Sequence, residues 1–588
     1  MDLATRAVRQ LTDAPRQADY EGLYLPDGNI LFNSTRCVQV VDCNWVEVSN
    51  FYLMTREGRV LRRVGFDQVH TVFPTLADDG RIFYTRWDYN DRAQIYTQPL
   101  FEMNPDGTMQ RGLYGGNSWF PTNIIHARKI PGERRIVAIV TGHHTPAHGK
   151  LAIIDPAIGR EEGEGIEFLS PVRTPEPIRV DKYGQTGMQF QYPYPVDGEH
   201  FITTAAMPKE NGELGDFHIY LIDREGRREL LAASQSDGTE PGCRQIVPLN
   251  PPPCKGPRFS PLDMKSESGT FLIQDVYEGQ GLEGIARGEI DRVRVVALDF
   301  RTIGVGTVSH KGAGGSSGVS TPIAVAHGSW DVKTVLGSAQ VHKDGSVFFE
   351  APANRPLYFQ ALDHEGRVVQ TMRSWATLMP GENQSCVGCH ESKNTAPLVR
   401  DTLPLALADG PKPLRPLGEV RGGFSFPRHV QPILDLHCTE CHDGRQDVPL
   451  DLRGETFVHA KMKRAFNRSY LELTHAVNGE GDWENPVVNW IDAMSGPGPL
   501  PPRYRGAANS TLCDMLLEGH EDVSLADDEF QTIACWIDLL VPYCGDYAEA
   551  NVWSDRDCEL FDEYGELRED FALEAVFPEP MGTSVGVE

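Results

Sequence analysis

Apolar residues in the first half of the chain fall in short runs, each entered through a glycine turn. Asp27-Gly28 precedes Ile30-Leu31-Phe32, Asp79-Gly80 precedes Ile82-Phe83-Tyr84, Pro131-Gly132 precedes Ile136-Val137-Ala138-Ile139, and Asp197-Gly198 precedes Phe201-Ile202. A second run follows each: Phe51-Tyr52-Leu53-Met54, Ile95-Tyr96, Leu151-Ala152-Ile153-Ile154 and Ile219-Tyr220-Leu221-Ile222. Short runs rich in β-branched and aromatic residues and bounded by such turns predict strands. The unit recurs every 50 to 65 residues or so, roughly the blade period of a β-propeller. Gly269-Thr270-Phe271-Leu272-Ile273 and Val293-Arg294-Val295-Val296 predict a later blade. The expectation is a propeller of six to seven blades over residues 15–305, with a pair of β-sandwiches as the alternative.

Gly and Ser dominate residues 301–320, which predicts a loop. Val347-Phe348-Phe349, Leu357-Tyr358-Phe359 and Val368-Val369 then predict a small antiparallel middle β-domain over residues 321–396. Proline-rich residues 397–421 read as a linker. Beyond it the period becomes helical. Phe426, Val430, Ile433 and Leu434 form a short apolar face, and Phe530, Ile533, Ala534, Ile537 and Leu540 form a longer one. Ser524 and Asp527 resemble a capping box before the second helix, and Pro542 stops it. Residues 422–547 therefore predict an α-helical, cytochrome c-like domain, and the acidic tail 548–588 predicts irregular chain. The whole is multidomain and mainly β, as a length of 588 residues requires of a chain too long for one core.

The net charge of −28 argues against nucleic acid and against an anionic membrane surface as partners. No stretch reaches the roughly 18 apolar residues that would span a bilayer. Met1 to Tyr20 holds no apolar run of signal-peptide length, so a mature or truncated N-terminus is expected.

Chemistry concentrates in the last third. Cys386-Val387-Gly388-Cys389-His390 and Cys438-Thr439-Glu440-Cys441-His442 each place two thiols three positions apart with a histidine directly after. That spacing suits thioethers to both vinyl groups on one edge of a haem, with the histidine as proximal iron ligand. One such pentapeptide arises by chance in roughly one sequence of this length per hundred, so two predict two covalently bound c-type haems. Cys386, Cys389 and His390 would hold the first, in the middle β-domain, and Cys438, Cys441 and His442 the second. Zinc is possible but not favoured. The pairs lie 48 residues apart, whereas a zinc ribbon spaces its pairs by about 15 to 20 residues. Haem attachment to cysteine is extracytoplasmic, which predicts a periplasmic or similar location.

The second haem needs a donor on its far face, and the candidates are His429, His437, His459, His475, His520, Met494 and Met515. His520 is the first choice, because Thr511 to Leu517 reads as a short helix ended by Gly519, with His520 on the loop just past it. His475 is the runner-up, and a plain surface role for His520 is the alternative. The remaining eight cysteines are even in number and predict disulfides, with Cys37–Cys43 and Cys243–Cys254 suggested by proximity. His143, His144 and His148 cluster after a predicted strand, either as solvated or core histidines or as groups over the middle haem or on a metal. Trp87, Asp88 and Tyr89 follow another strand end, as a catalytic group or as a packed aromatic turn with a solvated acid.

Leu272-Ile273-Gln274-Asp275-Val276-Tyr277, Ala351-Pro352-Ala353-Asn354, Gln370-Thr371-Met372-Arg373-Ser374 and Met379-Pro380-Gly381-Glu382 resemble segments of the hydrazine synthase alpha subunit family. So do Ser385 to Glu391, Gly519-His520 and Trp536-Ile537-Asp538, and the resemblance extends over nearly the whole chain. It implies a propeller, a middle β-domain with one haem, and a C-terminal domain with a bis-histidine haem. In the synthase itself the resemblance implies a tyrosine iron ligand four residues after the first motif histidine, which binds zinc there. The matching residue here is Asn394, which cannot replace a phenolate, so ligation of iron by His390 is expected and hydrazine synthesis is not. Two functions follow from this reading. One is an oxidoreductase with a catalytic middle haem, a small-molecule substrate and a soluble cytochrome-like redox partner. The other is a non-enzymatic electron carrier or redox-sensing protein that uses the propeller as a docking platform.

Overall fold

The computed structural model describes residues 5–573 apart from 42–45, 90, 92–96, 170–179, 234–241, 247–261, 303–322, 326, 390–393, 395–401, 460–463, 476–486, 494 and 552. Four four-stranded antiparallel sheets follow one another, each with its strands in chain order. The first holds β1–β4 (Asp19–Tyr24, Ile30–Ser34, Asn50–Met54, Val60–Arg63) and the second β5–β8 (Thr71–Leu76, Ile82–Arg86, Leu100–Met103, Arg111–Tyr114). The third holds β9–β12 (Asn123–Lys129, Ile136–Thr141, Lys150–Ile154, Ile166–Phe168) and the fourth β13–β16 (Gln189–Pro195, His200–Ala206, His218–Asp223, Arg228–Ala232). Ile95 and Tyr96 lie outside the described residues.

Apolar layers join consecutive sheets: Leu31, Phe51, Ile82 and Phe101 between the first two, Phe83, Leu100, Ile124 and Ile136 between the next, and Ile139, Leu151, Phe190 and Phe201 after that. Strands such as β2, β3, β6 and β10 are buried on both faces. That is why their sequences read as continuous apolar runs rather than as alternation. The first strand of every sheet also bulges, at a non-glycine residue with positive φ: Glu21 (55°), Phe73 (59°), His126 (53°) and Tyr192 (46°). These four residues line up from sheet to sheet. Phe73 N donates to Glu21 Oε2 (2.7 Å), the Phe73 and His126 rings lie 4.4 Å apart, and those of His126 and Tyr192 3.8 Å apart.

The next strands do not continue the series. β17 (Ser268–Ile273) and β18 (Arg292–Leu298) lie in two different sheets with strands from later in the chain. β18 pairs with β19 (Lys333–Gln340), while β17 pairs with β20 (Val347–Pro352). β21 (Leu357–Leu362) also flanks β18 and carries β22 (Val368–Thr371), and β23 (Asn383–Cys386) runs parallel to β17. The expected later blade is therefore part of the middle unit. The physical reason is a shared core, in which Phe271, Ile273, Val293 and Val295 are buried with Phe349, Leu357 and Val369. Among the described residues four sheets, rather than six to seven, precede this unit.

The proline-rich segment carries a short helix, α1 (Leu405–Asp409). It is tied to the middle unit by Leu405 N donating to Asp344 Oδ2 (2.8 Å) and Ala406 N to Ser346 Oγ (3.0 Å). The helical part follows, with α2 (Gln431–His437), α3 (Arg468–Leu473), α4 (Thr511–Glu518) and α5 (Asp527–Asp538). Phe426, Tyr470, Trp536 and Tyr543 pack together in its core. The cap of α5 is Ala526 rather than Ser524, because Glu529 Oε2 accepts the Ala526 N–H at 2.8 Å. Nor are the described residues of the acidic tail irregular. After α6 (Tyr547–Asn551), α7 (Asp555–Leu573) is a 19-residue helix. It returns to the first sheet, where Arg568 donates to Cys37 O (3.0 Å) and its guanidinium lies 3.7 Å from the centre of the Phe300 ring.

Asp538 at the end of α5 joins the helical part to the middle unit. Its Oδ2 accepts from Val368 N (3.0 Å), its Oδ1 from Ala507 N (2.8 Å), and Arg294 lies 3.9 Å away. Burial lifts its carboxyl to about 6 against the pull of Arg294. Asn at this position can accept only one of the two N–H groups and leaves the other facing a donor. Asp538→Asn should therefore destabilise the chain by about 1–3 kcal/mol in denaturant titration.

Candidate cofactor sites

The second Cys-x-x-Cys-His segment begins where α2 ends. Cys438 N donates to Leu434 O (2.8 Å) and His442 N to Cys438 O (2.9 Å), so one turn carries both thiols and the histidine. Burial pushes the Cys438 thiol up to about 11, while Cys441 is exposed. The His442 ring is anchored, with Nδ1 2.9 Å from Pro449 O and 3.3 Å from Leu450 O. Carbonyls only accept, so Nδ1 carries the proton and Nε2 presents a lone pair. That is the arrangement of a metal-ligating histidine held by its outer partners.

α4 ends at Gly519, whose φ of 100° favours glycine. His520 follows on a turn closed by Val523 N donating to His520 O (3.0 Å). The rings of His442 and His520 stand 6.1 Å apart at 28°. Two imidazoles bound to one metal ion at about 2 Å each have ring centres about 6 Å apart. Leu450, Leu516 and Leu525 remain only partly buried in this part of the helical core.

The structure gives polar partners to two of the rival donors. His437 Nε2 meets Glu529 Oε1 (3.1 Å), and His429 Nδ1 accepts the Ser425 N–H (3.1 Å) with its pKa pushed down to about 4 by burial. His459 is buried beside Phe466, His475 follows α3, and Met494 lies outside the described residues.

The first motif sits on a strand end. Cys386 closes β23, and the segment after β17 holds the loop: Gln274 N donates to Cys386 O (2.9 Å) and Asp275 N to Val387 O (3.1 Å). A Cβ on Gly388 would lie 2.2 Å from Glu278 O, so only glycine fits between the two thiols. Cys386 and Cys389 pack, half-buried, against the core that contains Phe271 and Ile273. His390 lies outside the described residues. Asn394 Oδ1 accepts from Arg160 Nε (3.1 Å), which ties this segment to the β11–β12 turn of the third sheet. The cysteine pairs thus occupy separate units, and no four-cysteine zinc group forms among the described residues.

Of the weaker candidates, Asp88 is neither solvated nor open to a substrate. It is buried, bonded to Arg86 Nε (2.8 Å) and accepting from Ser374 Oγ (2.7 Å). The rings of Trp87 and Tyr89 lie 4.8 Å apart, tilted at 35°, Tyr89 meets Trp330 at 5.3 Å, and Trp87 meets His143 at 5.5 Å. His148 pairs with Gln189 (2.9 Å), and His144 with Asp181 (3.1 Å). The disulfide expectation is not met where it can be followed. Cys513 and Cys535 are buried thiols, and the Cys37 thiol lies 3.0 Å from Val48 O. Cys43 and Cys254 lie outside the described residues.

These features define a multidomain, mainly β protein with a helical C-terminal part, carrying one Cys-x-x-Cys-His segment in its middle unit and one in its helical unit. Residues 288–391 match the family model described as the hydrazine synthase alpha subunit middle domain. The chain is 23% identical over 540 residues to hydrazine synthase subunit alpha of Kuenenia stuttgartiensis, a match that covers 73% of this chain and 63% of that one. It therefore spans less than two thirds of that relative's length. The solved structure of Kuenenia stuttgartiensis hydrazine synthase superposes with a TM-score of 0.65 at 18% identity, over 93% of this chain and 85% of the other. The chain is a relative of the hydrazine synthase alpha subunit and not that enzyme itself.

His520→Ala should open a coordination position opposite His442, so that added imidazole changes the absorption spectrum of the variant and not of the parent. An unchanged second-haem spectrum in the variant would remove His520 as the ligand.

Proposed function

We propose that the chain is an extracytoplasmic dihaem c-type cytochrome and an oxidoreductase. Cys386, Cys389 and His390 would hold the catalytic haem of the middle unit. Cys438, Cys441, His442 and His520 would hold a bis-histidine electron-transfer haem in the helical unit. The observation that carries the reading is the 6.1 Å ring spacing of His442 and His520, combined with the Nδ1 anchor that leaves His442 Nε2 outward. A bound haem supplies a one-electron iron centre, and its axial ligands decide between electron transfer and ligand chemistry.

The chain's own residues divide those tasks between the two sites. His442 and His520 would saturate one iron, which suits electron exchange with a soluble cytochrome-like partner. At the other site, residue 394 is an asparagine held by Arg160, where the synthase-like arrangement calls for a tyrosine. That substitution argues against hydrazine synthesis and for a different small-molecule substrate at an iron held by His390. The four meander sheets, with their bulge residues in register at one line of contact, support a propeller as the N-terminal platform. A periplasmic location follows from covalent haem attachment, and no helix among the described residues is long and apolar enough to cross a membrane.

The reduced protein should show a carbon monoxide difference spectrum from one of its two haems, and His390→Ala should perturb that haem alone. No carbon monoxide response would sink the enzymatic reading in favour of an electron carrier.

A further inference from the structure

At the end of β10 the chain places two histidines and a carboxylate together. Gly142 lets two backbones meet, since a Cβ there would lie 2.3 Å from Tyr183 N. Gly142 N donates to Tyr183 O (3.1 Å), His143 N to Val180 O (3.2 Å) and Lys182 N to His143 O (2.9 Å). This pairing sets Asp181 beside the histidines. His144 Nδ1 lies 3.1 Å from Asp181 Oδ1, and the two imidazole rings are 4.0 Å apart. Donor atoms of His143, His144 and Asp181 all lie within 4.8 Å of one another, the one such group of His, Cys, Asp or Glu side chains among the described residues.

His143 supplies the second, independent observation. The residue is 5% exposed, and its Nδ1 is buried with no hydrogen-bond partner among the described residues. A buried polar atom left unpaired costs about 1–3 kcal/mol, which a bound ligand would recover. The other two side chains are open to solvent, 59% exposed for His144 and 41% for Asp181. An ion could therefore enter from that side and keep water in a remaining position.

We infer that His143, His144 and Asp181 form a binding site for a divalent first-row transition-metal ion of the zinc type. Two imidazole nitrogens and one carboxylate oxygen match the three protein ligands of open zinc sites. Calcium and magnesium prefer all-oxygen shells, so this donor set selects against them. Drawing all three donors onto one ion requires only side-chain adjustment, because the backbone pairing already holds the two segments together.

The test is calorimetric titration of Zn2+ into the full haem-loaded chain after chelator treatment, with thermal unfolding in parallel. The wild type should bind one equivalent of Zn2+ that excess Ca2+ does not displace, and this ion should raise Tm. His144→Gln and Asp181→Asn, both at exposed side chains, should each weaken that equivalent by about tenfold or more. The double variant should lose the equivalent and its Tm increase together. Wild-type-like Zn2+ binding by the double variant, no Zn2+ binding by the wild type, or displacement by an equal concentration of Ca2+ would each overturn the site.

Discussion

Arg86 is a full positive charge buried between the second sheet and the middle unit, and the placement of these two units depends on how it is satisfied. It bonds to Asp88 and Asp67, donates to Ser374 Oγ and Trp375 O, and lies over the Trp375 ring at 4.4 Å. Trp375 Nε1 in turn donates to Asp67 Oδ1 (2.9 Å). A buried charge is tolerated only when paired and fully hydrogen-bonded, so the network admits one arrangement of the strand end and the 374–375 turn. That turn leads, through the buried Met379 and Glu382, into β23 and the first cysteine pair. Asp538 plays the matching part on the other side, where it fixes the helical unit against β22. Both cysteine motifs are therefore positioned by buried carboxylates remote from them.

Some of this arrangement was legible in the sequence because it rests on local physics. The two Cys-x-x-Cys-His runs stand out as candidate cofactor sites by spacing alone. The Thr511–Glu518 helix, its glycine stop and the exposed loop that carries His520 follow from capping rules, and the structure brings that loop to His442. The strands of the first four sheets were readable as well, because burial on both faces writes unbroken apolar runs.

What was not legible depended on partners far away in the chain. β17 and β18 look like one more blade until their pairing with residues 35 to 113 positions later is known. The long helix α7 was hidden by its acidity. Its inward positions include Phe561, Arg568 and Phe571, and an arginine at the buried end makes sense only against Cys37, just past β2, and Phe300, just past β18. Asp88 is a similar case: a strand-end acid beside two aromatics reads as a site or as a solvated acid until Arg86 and Ser374 are seen to enclose it.

A dihaem cytochrome must carry haem on both cysteine pairs, and the most direct measurement is the mass of the denatured chain produced in a host with c-type cytochrome maturation. Thioethers survive unfolding, so the predicted result is the mass of the polypeptide plus two haems, with both modified peptides recovered after proteolysis at Cys386–Cys389 and Cys438–Cys441. A chain that carries one haem, or none, under those conditions would contradict it.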